Sequence, residues 1–308
     1  MSSGNPIPST RQMAQSRSLI TRALQGRVAE QARLNEELAT GLKVRRGSDD
    51  PTAFGIARRL DTAIRQFDQF TRSIESAISW TNSSQDTLDD ISNLVTSAYE
   101  EGIRGANSTT GTEGRERIAE RVQEILEEVV ERLNSRGPDG YLFAGSNTTT
   151  KPFVLDNAVG SDGAGVSYYG NTDAIERTVG VESRITVGIP GSRMTAAGGV
   201  AVTEALGALR DALNNDDQAA IQTALDDVVT ARDHVIDLTA ENGVAAERLS
   251  ALSAQIADLK LRSQQERSGL EEADLAETIT TLQKSQSGLQ AAMQAVALLH
   301  QNTLLNYL

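Results

Sequence analysis

Between residues 275 and 303 the sequence returns to one face at alternating spacings of four and three: Leu275, Ile279, Leu282, Gln286, Leu289, Met293, Val296, His300 and Thr303. Sustained over the whole segment, that spacing specifies a helix with a coiled-coil seam. A counterpart opens the chain. Residues 11–42 contain no proline, and Met13, Ile20, Leu24, Val28, Leu34, Leu38 and Leu42 recur mostly three, four or seven apart. A helix of this size gains most of its stability from packing rather than from its own backbone. The two terminal helices must therefore pair with each other or with further copies of the chain.

The segment between them is also mainly helical. Arg45-Arg-Gly-Ser-Asp-Asp-Pro51 reads as a break followed by a helix start: Asp50 supplies a cap acceptor, and Pro51 a residue whose missing N–H would have lacked a partner. A long helix over about residues 52–104 follows, with Leu60, Ile64, Phe67, Ile74, Ile78, Leu88, Ile91, Val95 and Ala98 in its stripe. After a loop from Gly105, a third helix over about 113–135 carries Ile118, Val122, Ile125, Val129 and Leu133, and Gly137-Pro138 ends it. From Tyr141 to Met194 the pattern changes to short alternating runs such as Tyr-Leu-Phe-Ala and Arg-Ile-Thr-Val, separated by turns. Helical spacing returns after Gly199, as two short helices (about 201–214 and 216–231) leading into a long one to about 267. The last helix starts at Asp274, with Glu277 three residues on.

The expected fold is mainly α with an inserted small β-rich domain, its paired N- and C-terminal segments forming a long antiparallel helical rod or coiled coil. The expected division is a terminal coiled-coil assembly domain (1–45 and 272–308), a helical rod domain (46–140 and 196–271) and an exposed β-rich domain (141–195). The assembly seam is read as Leu24, Leu38, Leu275, Ile279, Leu282, Leu289, Met293 and Val296.

Composition narrows the function classes. The net charge of −13 repels phosphates and anionic lipids, so neither nucleic acid nor a membrane is expected as a partner. No run approaches the roughly 20 apolar residues of a membrane span. The polar start, Met-Ser-Ser-Gly-Asn-Pro, lacks the apolar core of a cleavable signal peptide. With no cysteines, disulfides, thiolate metal sites and cysteine nucleophiles are excluded.

No catalytic constellation emerges, and neither cofactor nor metal is expected. The adjacent acid pairs Asp49-Asp50, Asp89-Asp90, Asp216-Asp217, Asp226-Asp227 and Glu271-Glu272 read as caps and solvated faces, since neighbours on a helix point in different directions. His234 and His300 belong to no zinc motif. Gly160-Ser-Asp-Gly-Ala-Gly165 lacks the residues of a phosphate or calcium loop and reads as a surface turn, and Trp80 as core.

Local sequence at both ends resembles the bacterial flagellin family, which includes filament flagellins and the related hook-associated proteins. Ser9-Thr10 with Met13 is similar to the family's opening. Leu38-Ala-Thr-Gly41-Leu-Lys-Val-Arg45 and Ser48-Asp49-Asp50-Pro51 resemble its signature after the first helix. Asp274-Leu-Ala-Glu-Thr-Ile-Thr-Thr-Leu-Gln283 and the ending Asn306-Tyr307-Leu308 resemble its closing helix. Asp-Asp-Pro, Gly140-Tyr-Leu-Phe-Ala-Gly145 with Lys151-Pro-Phe153, and Val187-Gly-Ile-Pro-Gly191 favour a hook-associated junction member over a filament flagellin.

The resemblance implies a non-enzymatic structural subunit that assembles as a homo-oligomeric ring between hook-associated protein 1 and flagellin. It further implies secretion to the extracellular flagellum at the hook–filament junction, without signal cleavage, and a flagellar export chaperone as an additional partner. Two other readings remain open at this point. One is filament flagellin itself, and the other an intracellular coiled-coil scaffold, which would have no use for the β insertion.

Overall fold

The computed structural model describes residues 10–156, 162–195 and 201–305. Among the described residues, six α-helices and three short antiparallel strand pairs make the fold, in agreement with the expected mainly α architecture and its small β insertion. The helices are α1 (Thr10–Thr40), α2 (Pro51–Ala106), α3 (Thr112–Leu133), α4 (Val202–Asn214), α5 (Gln218–Glu271) and α6 (Leu275–Leu305). The strands are β1 (Arg136–Gly137), β2 (Gly140–Tyr141), β3 (Phe153–Leu155), β4 (Val166–Tyr168), β5 (Glu176–Thr178) and β6 (Arg184–Thr186), paired β1–β2, β3–β4 and β5–β6. The chain resolves into two compact units, residues 65–260 and residues 1–64 with 261–308; α2 and α5 contribute to both.

The first unit, residues 65–260, holds the main core. The α3 stripe buries Val122, Ile125, Leu126, Val129 and Leu133, with Ile118 partly covered. These residues share a cluster with Ile74, Trp80, Leu88, Ile91 and Val95 of α2, Leu206, Leu209 and Leu213 of α4, and Ile221, Val228, Val235 and Leu238 of α5. Each fully buried Leu, Ile or Val of this set contributes about 1.5–3 kcal/mol before the entropy cost of ordering it. Arg115 of α3 ties the end of α2 to the start of α5: Nε donates to the Gly105 carbonyl at 2.9 Å, Nη2 to Gln218 at 2.7 Å, and Nη1 pairs with Asp216.

The β segment shares this core instead of forming its own. Phe143, Phe153, Val166, Val179, Ile185, Val187, Ile189 and Met194 all belong to the helical cluster. Asn134, just past α3, clamps β3 in place. Its Nδ2 donates to the Val130 and Phe153 carbonyls (2.7 and 2.9 Å), and its Oδ1 accepts the Phe153 N–H at 3.0 Å. The run Tyr141–Ala144, whose alternation predicts a strand, is one only up to Tyr141. Beyond it the backbone is claimed by irregular neighbours, the Phe143 carbonyl by the Gly191 N–H and the Ala144 carbonyl by the Asn171 N–H.

The second unit contains α1, α6, the start of α2, the end of α5 and the connectors at residues 41–50 and 272–274. Asp50 caps α2 as its sequence predicts, its Oδ1 accepting the Thr52 and Ala53 N–H groups at 2.9 Å. Asp274 caps α6 in the same way, through Ala276 (2.9 Å) and Glu277 (3.1 Å). Arg267 of α5 reaches Asp61 of α2 at 2.5 Å.

Candidate assembly surface

The residues nominated from sequence lie on α1, α6 and the connectors between them and the long helices. Both connectors are tied together by backbone bonds. The Lys43 N–H donates to the Glu271 carbonyl at 2.7 Å and the Ala273 N–H to the Gly41 carbonyl at 2.9 Å, with Leu42 and Glu272 in an isolated antiparallel bridge. The Lys43 ammonium adds a bond to the Gly269 carbonyl at 2.9 Å, and Val44 is buried. Gly41 makes this turn with φ +72°, a left-handed conformation natural to glycine. Asp49 closes the loop on itself by accepting the Arg45 and Arg46 N–H groups at 3.1 and 3.0 Å. Those two bonds, first from Arg45 and then from Arg46, hold its carboxyl below the ordinary aspartate range. Glu36 of α1 pairs with Arg45 and, at 3.5 Å, with Arg46.

From this clasp α1 and α6 run antiparallel, with the Arg27 guanidinium lying over Gly288, where a Cβ would collide with it. Covered positions on α6 are Thr278, Thr281, Leu282, Ser285, Gly288, Leu289, Ala292 and Val296, a strip that returns every three or four residues. On α1, Leu34 is buried and Leu24 and Leu38 are half-buried. The covered strip shares Leu282, Leu289 and Val296 with the sequence-read seam and takes its other members from one flank. At 100° per residue, the two strips are centred about 60° apart on the helix.

That offset leaves the other flank open. Leu275 is 49% exposed, Ile279 46% and Met293 51%, and on α1 Leu19 and Val28 are also exposed. The contrast with the covered side is chemical as well as geometric. Two of the most buried α6 positions are Thr278 and Ser285, and the Ser285 hydroxyl is buried with no hydrogen-bond partner. The helix thus packs small and polar side chains inward while half-exposing a Leu, an Ile and a Met. An apolar flank of this kind is ordinarily covered by another surface.

Among the described residues, the other sequence candidates converge on no site. His234 Nε2 lies 2.7 Å from the Arg193 carbonyl. Trp80 is core. Among the acid pairs, Asp50 is a cap, Asp216 pairs with Arg115 and Asp90 lies 3.6 Å from Arg132. Among the described residues no group of three or more His, Asp or Glu could hold a metal, and no helix is long and apolar enough to cross a membrane. Asn306, Tyr307 and Leu308 lie outside the described residues. Sequence reasoning missed the connector clasp, because backbone bonds between irregular segments leave no side-chain signature; Gly41 was its one visible sign.

Comparison with known proteins bears on the family and the fold. Residues 9–148 match the bacterial flagellin N-terminal helical region. The flagellar hook-associated protein 3 of Escherichia coli K12 is 24% identical over 291 residues, spanning 87% of this chain and 89% of that protein. Its Salmonella typhimurium LT2 namesake is 25% identical over 288 residues, spanning 86% and 88%. Among solved structures, flagellar hook-associated protein 3 of Legionella pneumophila superimposes with a TM-score of 0.61 at 13% identity, over 69% of this chain and 98% of that one, which shows a shared fold. The chain is thus similar to flagellar hook-associated protein 3 over most of both chains, and its first half carries the bacterial flagellin N-terminal helical region.

Proposed function

We propose that this chain is a structural subunit of the bacterial flagellum that joins hook to filament by self-assembly through its terminal helices. The observation that carries the reading is the two-sided α6. One flank of its apolar face is used within the chain, and the other, Leu275, Ile279 and Met293, is left half-exposed for a neighbouring subunit. Similarity to hook-associated protein 3 over most of both chains supports the junction role.

In this reading residues 1–45 with 272–308 are the assembly part, 46–140 with 196–271 the helical support, and 141–195 the outward part. Seam residues Leu24, Leu38, Leu282, Leu289 and Val296 hold the terminal pair together. Leu275, Ile279 and Met293 bind the next copy in a ring, which stacks on hook-associated protein 1 and receives the first flagellin. The chain is exported without signal cleavage, and an export chaperone guards the apolar flank until assembly. The role is structural and assigns no catalytic residue. Filament flagellin is the nearest alternative, and gene deletion separates the two. Loss of a junction protein releases unpolymerised flagellin into the medium, whereas loss of the filament protein leaves hooks and no flagellin.

A further inference from the structure

The unit formed by residues 65–260 contains a polar layer where its helix pattern calls for an apolar one. Buried positions on α5 run Val235, Leu238, Asn242, Leu249 and Ile256, so Asn242 occupies a place otherwise filled by aliphatic side chains. It is 3% exposed, and its Nδ2 donates across the α2–α5 seam to the Thr81 carbonyl at 2.9 Å and to Gln85 Oε1 at 3.0 Å. The facing stretch of α2 is correspondingly polar. Thr81, Ser84 and Thr87 are buried and return their hydroxyls to the carbonyls four residues earlier, at 2.9, 3.0 and 2.9 Å. Beside them the Trp80 indole N–H is buried without a hydrogen-bond partner. A seam selected for stability alone would carry Leu at position 242.

The location of this layer explains its use. Toward Arg65 on α2 and Lys260 on α5, the apolar residues of the cluster are Phe67, Phe70, Ile74, Ala77 and Ile78 on one helix and Leu249, Leu252 and Ile256 on the other. Apolar contacts are non-directional and specify register weakly, so a one-turn slip would still leave apolar residues facing each other. A single buried Asn penalises the slipped pairing, because its amide then loses both acceptors. Farther along, Lys260 pairs with Asp68 across the two helices at 2.6 Å.

We propose that Asn242 is a register lock for the α2–α5 pairing, retained at the expense of stability to hold the two-helix stretch in one alignment. The chain has no native cysteine, so spin labels at Q69C and A257C, both exposed positions, report the alignment directly in the full-length protein. The parent gives one narrow distance distribution. N242L melts at the parent's temperature or higher and gives a second population, displaced by about one helical turn, ~5 Å. N242A, which adds no volume, also gives the second population. A folded N242L or N242A with the parent's single distribution overturns the proposal. Failure of both variants to fold overturns it too, since the Asn would then be a source of stability. The readout is internal to the monomer, so its outcome is independent of whether the chain assembles.

Discussion

Replacing the open flank of α6 with L275Q/I279Q/M293Q isolates the contact on which assembly depends. Gln keeps helix propensity and side-chain length, so the helix itself is preserved. Full burial of a Leu, Ile or Met side chain is worth about 1.5–3 kcal/mol. With roughly half of each surface still exposed in the chain, the three positions hold about 2–4 kcal/mol for an intermolecular contact. At 1.4 kcal/mol per tenfold, the variant should self-associate roughly 30- to 1000-fold more weakly than the parent. Sedimentation equilibrium measures that constant, and circular dichroism should show melting unchanged to within a few degrees. Association as tight as the parent's would refute the reasoning. A large drop in melting temperature would also refute it, because these side chains would then be packing inside the chain.

Three further outcomes follow from the same contacts. L289D puts a charge on the half-buried side of α6; residues 65–260 should stay folded and incorporation into flagella should be lost, as seen by protease resistance alongside a motility assay. Asp49 has its pKa lowered in the fold by the Arg45 and Arg46 N–H groups, so its contribution is complete above the unfolded value of about 3.9. That contribution is lost as pH falls through the lower folded value. Protection of the Arg45 and Arg46 amides relative to the unfolded chain should therefore fall only in acid, and D49A, which removes the acceptor, should lower it at all pH values. G41A meets no neighbouring atom and costs only its left-handed backbone, about 1 kcal/mol, read as faster exchange at Lys43 and Ala273.

Much of the fold was legible because its elements announce themselves locally. Asp50-Pro51 and Asp274 mark helix starts through side-chain chemistry that needs no tertiary context, and the α3 stripe buries Val122, Ile125, Val129 and Leu133 as its spacing names them, with Ile118 partly covered. The β segment was legible as a change of pattern but not in detail. Whether Leu142–Ala144 pair as a strand depends on Gly191 and Asn171, tens of residues away. For the same reason the short helix expected at 216–231 and the long one after it are a single helix from Gln218, capped by Asp217.

The assembly surface was partly legible. Heptad spacing identifies the apolar face of α6 but not how that face is shared. Leu282, Leu289 and Val296 lie on the covered side, whereas Leu275, Ile279 and Met293 remain open, and only the antiparallel seating of α1 decides which is which. Asn242 was invisible for a different reason. A polar residue on a helical stripe reads as solvated unless the partner that buries it is known.

The most direct test of the central claim is labelled electron microscopy of intact flagella carrying an epitope on this chain. A structural subunit that assembles at the junction predicts a single short band of label at the boundary between hook and filament. That band should disappear when the L275Q/I279Q/M293Q variant replaces the parent. Label distributed along the whole filament, or absent from the flagellum while the protein is abundant in the cell, would contradict the account.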